Sequence, residues 1–145
     1  MYNIDSYDNE AFVPIEKGER WQSYNANPKN KRVGDCTVRA ISAALGQDWY
    51  ETYIDLCLKG FKMNDMPSAD VVWGEYLKDK GFKRSIVPCE DGLCMTIEDF
   101  CKSHPHGVYV LCPQSHVVAA IDGCYLDTWQ SGDEIVLYYW QKRED

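Results

Sequence analysis

The order of its apolar patterns predicts an α+β domain. Stretches with helical spacing come first, and β-branched, aromatic runs broken by turn residues come last. A length of 145 residues, 45% of them hydrophobic, suits a single core and a single domain spanning 1–145. No internal repeat or low-complexity segment divides it.

Residues 1–20 are acidic and polar around one apolar patch, Ala11-Phe12-Val13-Pro14-Ile15. This arm either adds an edge strand or docks on the body. Residues 24–31, rich in Asn with one Pro and alternating Lys, have the composition of an exposed loop. A first helix is predicted to begin at Asp35 or Cys36, where Gly34-Asp35 supplies a turn and a cap. Val38, Ile41 and Leu45 give it a face, and Gly46 ends it. Asp48, with Glu51 three residues on, caps a second helix whose stripe of Trp49, Tyr53, Leu56 and Cys57 runs to Gly60. These two pack as a hairpin. Ser68 caps a third helix carrying Val72, Trp73, Tyr76 and Leu77, which Gly81 stops. Residues 82–88 read as a strand. Thr96-Ile-Glu-Asp opens a fourth helix with an acidic first turn, Ile97, Phe100 and Cys101 on one face, and an end before Pro105. Residues 108–112, 117–121 and 135–140 then form strands of an antiparallel sheet. Asp122-Gly123 is a hairpin turn that folds 124–127 back along 117–121.

Charge narrows the function classes. Lys and Arg number 15 against 23 Asp and Glu, a formal charge of −8 that repels phosphate backbones and argues against nucleic acid as a partner. No apolar run approaches the roughly 20 residues needed to span a bilayer. The N-terminus lacks the basic start and apolar core of an export signal, so a cytoplasmic protein with no membrane partner is expected. In that setting the seven cysteines read as free thiols, not as a disulfide frame. Cys89, Cys94 and Cys101, followed by His104 and His106, raise zinc. However, there is no C-x2-C pair and the spacings do not match paired ligation, so small buried hydrophobes are the favoured reading. His104 and His106, flanking Pro105, read as exposed loop residues with no role, and no metal or organic cofactor is implied.

Three residues stand where a thiol hydrolase needs them. Cys36 opens the first helix, where the positive end of the helix dipole and unpaired amides favour thiolate. His116 opens a strand and supplies the imidazole that pairs with a thiolate and later protonates the leaving group. Asp127, on the next strand, is placed to accept from the other ring nitrogen and fix its orientation. A two-residue turn at Asp122-Gly123 pairs Ile121 with Cys124, puts Asp127 beside Val118 and leaves His116 as its diagonal neighbour. An oxyanion needs donors, taken as the Cys36 backbone amide and a side-chain amide six residues upstream, Asn30. Asn25, Asn27 and Gln22 offer the same group from the same loop.

The runs Asn30-Lys-Arg-Val-Gly-Asp-Cys36-Thr-Val-Arg-Ala-Ile-Ser, Ser115-His116-Val-Val-Ala-Ala-Ile-Asp-Gly and Tyr125-Leu-Asp127-Thr-Trp129 resemble the papain-like superfamily of cysteine peptidases. The likeness is to its compact bacterial and phage branches, similar to bacteriocin-processing peptidases, and to small phage proteins with a Gly-Asp-Cys helix start and an Asp-Thr-Trp strand. In that superfamily a cysteine opens the long helix, a histidine opens a sheet strand, and Asp or Asn follows on the neighbouring strand. The chain departs from it in two places: the Cys-Gly-Ser-Cys-Trp surround of plant-type papains is absent, and Asn30 stands where Gln is common. The resemblance implies a papain-like fold, with the N-terminal helices packed on a C-terminal antiparallel sheet. It implies hydrolysis of a peptide, amide or isopeptide bond by Cys36, His116, Asp127 and Asn30, on a protein or peptide substrate, in a bacterial or phage-infected cell. Trp129 either roofs the triad, as the resemblance implies, or packs on the sheet. A second class of function is a phage or bacterial factor that keeps this fold without turnover and binds a host protein.

Overall fold

A computed structural model describes residues 20–143. The N-terminal arm and its apolar patch at 11–15 lie outside the described residues. The fold is mixed α+β, with four helices and one six-stranded sheet.

Helix α1 (Cys36–Leu45) begins at the predicted cysteine and stops where Gly46 turns left-handed at φ 66°. Asp35 occupies the N-cap position, but its side chain makes no cap bond. Its carboxylate is taken instead by Arg39 and Trp49. Helix α2 (Trp49–Met63) starts as predicted, with Asp48 accepting the Glu51 N–H, and runs three residues past Gly60 to a left-handed Asn64. Gly60 is a packing point, not a stop: a Cβ there would lie 2.8 Å from the Asp65 carbonyl oxygen. Helix α3 (Asp70–Asp79) is preceded by Ala69 with no side-chain cap, so Ser68 does not play the expected part. Helix α4 (Ile97–Ser103) carries a full capping box between Thr96 and Asp99.

The strands are β1 (Trp21–Ser23), β2 (Phe82–Ile86), β3 (Val108–Pro113), β4 (Val118–Ile121), β5 (Cys124–Asp127) and β6 (Val136–Lys142), in the order β1-β5-β4-β3-β6-β2. The sheet is not wholly antiparallel, because β1 runs parallel to β5, with Ser23 opposite Asp127. That strand is only three residues long and its partner is a hundred residues away, too little for any periodicity to announce it. The β4–β5 hairpin has the expected register, Ile121 opposite Cys124 and Ala119 opposite Leu126. Asp122 and Gly123 both have positive φ, 49° and 84°, the geometry of a type I′ turn. Between β3 and β6 the register slips at Cys112/Pro113, where proline has no N–H to give the ladder.

Both faces of the sheet are covered. On one, Ile41, Leu56, Trp73 and Leu77 from α1, α2 and α3 meet Val110, Ala119 and Trp140. On the other, Ile97, Phe100 and Cys101 of α4 meet Leu111, Val118 and Tyr125. Alternate residues of β3 and β4 therefore serve opposite cores, which is why these strands read as continuous apolar runs.

Two further expectations give way to the structure. Cys89 and Cys94 form a disulfide, while the other five cysteines are free. A turn through Asp91 and Gly92, both at positive φ, bridges Glu90 to Leu93 and brings the two Cα atoms to 4.4 Å, within bonding range. His104 is not a solvated loop residue. Its ring stacks on Phe100 at 3.8 Å and its Nδ1 lies 2.9 Å from the Phe100 carbonyl oxygen. Among the described residues, no helix is long and apolar enough to cross a membrane.

Candidate active site

The start of α1 meets the sheet where β4 begins and β5 ends, and this junction brings Cys36, His116 and Asp127 together. The hairpin register holds Asp127 at the last position of β5, level with the start of β4 and one pleat from His116. His116 sits just before β4, after a turn in which Ser115 takes a left-handed φ of 62°. Its Nε2 lies 2.6 Å from Asp127 Oδ2, which leaves the other ring nitrogen for Cys36. The His116 side chain is 10% exposed and that of Asp127 1%.

The electrostatics of the pair are cooperative. Burial works against a Cys36 thiolate, but the hydrogen bond and charge of His116, the Val117 N–H and the Arg39 guanidinium outweigh it and hold the thiol below its ordinary value. Burial also disfavours the imidazolium. Here the hydrogen bonds and charges of Asp127 and Cys36 prevail and raise His116 from 6.5 to about 9. Both shifts favour the thiolate–imidazolium form of the pair over the neutral one.

A cavity of about 440 Å³ opens on this pair, and Trp73, Cys112, Pro113, Ser115, Leu137 and Tyr138 are among its lining residues. The slip at Pro113 shapes that wall, since Leu137 is the residue the ladder skips. Cys112 shares the cavity, but burial pushes its thiol up to about 12, so the two sulfurs in one cleft differ sharply in thiolate character. A second, more open groove of about 530 Å³ lies beyond Thr37, walled by Val33, Val38, Trp49, Tyr53 and Met66. Trp129, 46% exposed, sets its ring 5.4 Å from that of His116, so it stands over the histidine and does not pack within the sheet.

Asn30 does not join the cluster. It is exposed, its φ is 54°, its Oδ1 accepts from Asn25 Nδ2 at 3.3 Å, and it lines neither cleft. Asn25 is spent within the loop, its Nδ2 donating to Asn30 Oδ1 and the Lys31 carbonyl oxygen, and Asn27, whose Oδ1 accepts from the Lys29 and Lys31 N–H groups, lines neither cleft. The unshared donor beside the thiol is the α1 N-terminus, whose first turn has no side-chain cap.

Sequence reasoning missed the residues that hold Asp127. Ser131 Oγ donates to its Oδ2 at 2.6 Å, and the Thr128 N–H donates to its Oδ1 at 2.8 Å. Arg39 Nη2 reaches the same Oδ1 at 3.4 Å, while its Nη1 bonds Asp35 Oδ1. Asp35 Oδ2 accepts from Trp49 Nε1 at 2.9 Å. One signal was legible, namely Asp35 and Arg39 set one helical turn apart, a spacing that pairs opposite charges. No family model, curated protein or solved structure matches the chain.

Proposed function

We propose that this chain is a papain-like cysteine hydrolase that cleaves a peptide, amide or isopeptide bond through Cys36, His116 and Asp127. The observation that carries the reading is the continuous line from Asp127 through His116 to Cys36, opening on a cleft large enough for a substrate side chain. Support also comes from the placement of each group: a cysteine at a helix N-terminus, a histidine entering one strand and an aspartate ending its neighbour.

In this mechanism the Cys36 thiolate attacks the substrate carbonyl carbon, and the oxygen takes up negative charge beside the free amides of the first turn of α1. His116 gives its proton to the leaving nitrogen, the C–N bond breaks, and a thioester remains on Cys36. A water then gives a proton to His116 and attacks the thioester, releasing the acid and restoring the pair. Asp127 holds the ring in one orientation throughout.

The test is to incubate the protein with a diverse peptide library and read new termini by mass spectrometry, with Cys36→Ala as control. Cleavage by the wild type alone is the expected result. If no bond is cut by either form, the hydrolase reading fails and a binding protein that keeps the arrangement without turnover takes its place. Products joined to an added amine would instead show acyl transfer from the same thioester.

A further inference from the structure

We propose that Arg39 is a positioning residue for the reaction, its forked guanidinium locking Asp127 behind His116 and balancing the charges buried beside Cys36. The proposal rests on the hydrolase reading above and extends it to a residue that touches no substrate.

Arg39 is 7% exposed and lies one helical turn beyond Cys36. From the loop before α1 it is faced by Asp35, from β5 by Asp127, and from its own helix by Cys36. His116 stands beyond Asp127, and from α2 the neutral indole of Trp49 bonds Asp35. Formal charges thus alternate along one buried path: Asp35, Arg39, Asp127, His116, Cys36. Without Arg39 one imidazolium would balance three anions; Asp127 would keep His116, Ser131 and the Thr128 N–H, and Asp35 the Trp49 indole, all but His116 neutral donors. Geometry adds to charge. Two carboxylates on different elements are held by one planar group, whose fork a lysine ammonium cannot reproduce. Arg39 and the Thr128 N–H hold Asp127 Oδ1 while Ser131 holds Oδ2, so Arg39, which touches neither thiol nor substrate, acts on the imidazole by adding the charged contact to a carboxylate already fixed at both oxygens.

The experiment is the pH profile of Cys36 alkylation, read site by site in folded protein for the wild type, Arg39→Lys, Arg39→Met and the double variant Asp35→Asn/Arg39→Gln. The double variant leaves no unpaired carboxylate at position 35, so it keeps the test alive if Arg39→Met does not fold. We expect the Arg39→Met midpoint to rise by about one pH unit, roughly a tenfold loss of rate at pH about 6, with a smaller shift in Arg39→Lys and a full shift in the double variant. A purely structural role would lower thermal stability without moving these midpoints. Midpoints at the wild-type value in every folded variant would overturn the inference and leave the hydrolase reading standing. A wild-type midpoint in the double variant alone would show that Arg39 serves only the burial of Asp35, which also overturns it. If wild-type Cys36 itself titrates as an ordinary thiol, the hydrolase reading fails and this inference fails with it.

Discussion

Two thiols share one cleft, and their surroundings divide them. Cys112 is simply buried, whereas Cys36 has an imidazolium, a backbone N–H and a guanidinium to offset its burial. The same coupling fixes the pH behaviour of His116. Taken alone, its raised value stabilises the fold fully below 6.5 and loses that effect as pH rises through about 9, while the lowered Cys36 contributes above 9 and loses its effect as pH falls through its own folded value. Between 6.5 and 9, once Cys36 is ionised, the folded chain carries its proton on His116 and the unfolded chain carries it on Cys36. The counts match, so the pair leaves stability flat from the folded Cys36 value up to about 9, and its signature has to be sought in the ring itself. We expect the His116 imidazole to titrate near 9 by NMR, and to move down in Cys36→Ala, where the thiolate no longer holds the proton. A ring that titrates at 6.5 in both forms would contradict the pairing. Cys36, His116 and Asp127 were legible in the sequence because each obeys a local rule of placement. Arg39 was legible only in its spacing from Asp35, since Asp127 lies 88 residues away, and Ser131 was not legible at all, because it sits in a loop 4 residues past the end of β5.

At the scale of elements, what positions the site is the β4–β5 hairpin and the uncapped start of α1. Gly123 at φ 84° permits the tight turn, and a side chain there would also meet Arg20 and the Pro105 backbone at 3.4 Å. Gly123→Val is therefore expected to cost about 1–3 kcal/mol in denaturant unfolding and to slow Cys36 alkylation, since the turn sets where Asp127 falls. Thr96→Ala, which removes the cap of α4 on the opposite face of the sheet, should cost about 1 kcal/mol and leave Cys36 reactivity unchanged. Equal loss of reactivity in both variants would show that the site senses only global stability. The helices were readable from caps and apolar spacing, and the hairpin from Asp122-Gly123. Two errors share one physical origin. β1 and the extension of α2 past Gly60 are decided by backbone outside the segment itself, at Asp127 a hundred residues on and at the Asp65–Pro67 turn just past the helix respectively, and not by their own residues.

The molecule as a whole buries a sheet between α1–α3 and α4, and its one disulfide sits away from both cores, in the turn at Glu90–Leu93. Local chain reversal makes that bond, which cysteine spacing alone did not disclose. Protein purified without reductant and then denatured is expected to titrate five thiols, rising to seven after reduction; seven from the outset would contradict the pairing. The central claim concerns Cys36, and it is tested most directly by site-resolved iodoacetamide labelling of the native protein at pH about 6, comparing the wild type with His116→Ala. We expect rapid labelling confined to Cys36 in the wild type and its loss in His116→Ala. Uniformly slow labelling of every free cysteine, or fast labelling of Cys36 that survives without His116, would contradict an activated thiolate at this site.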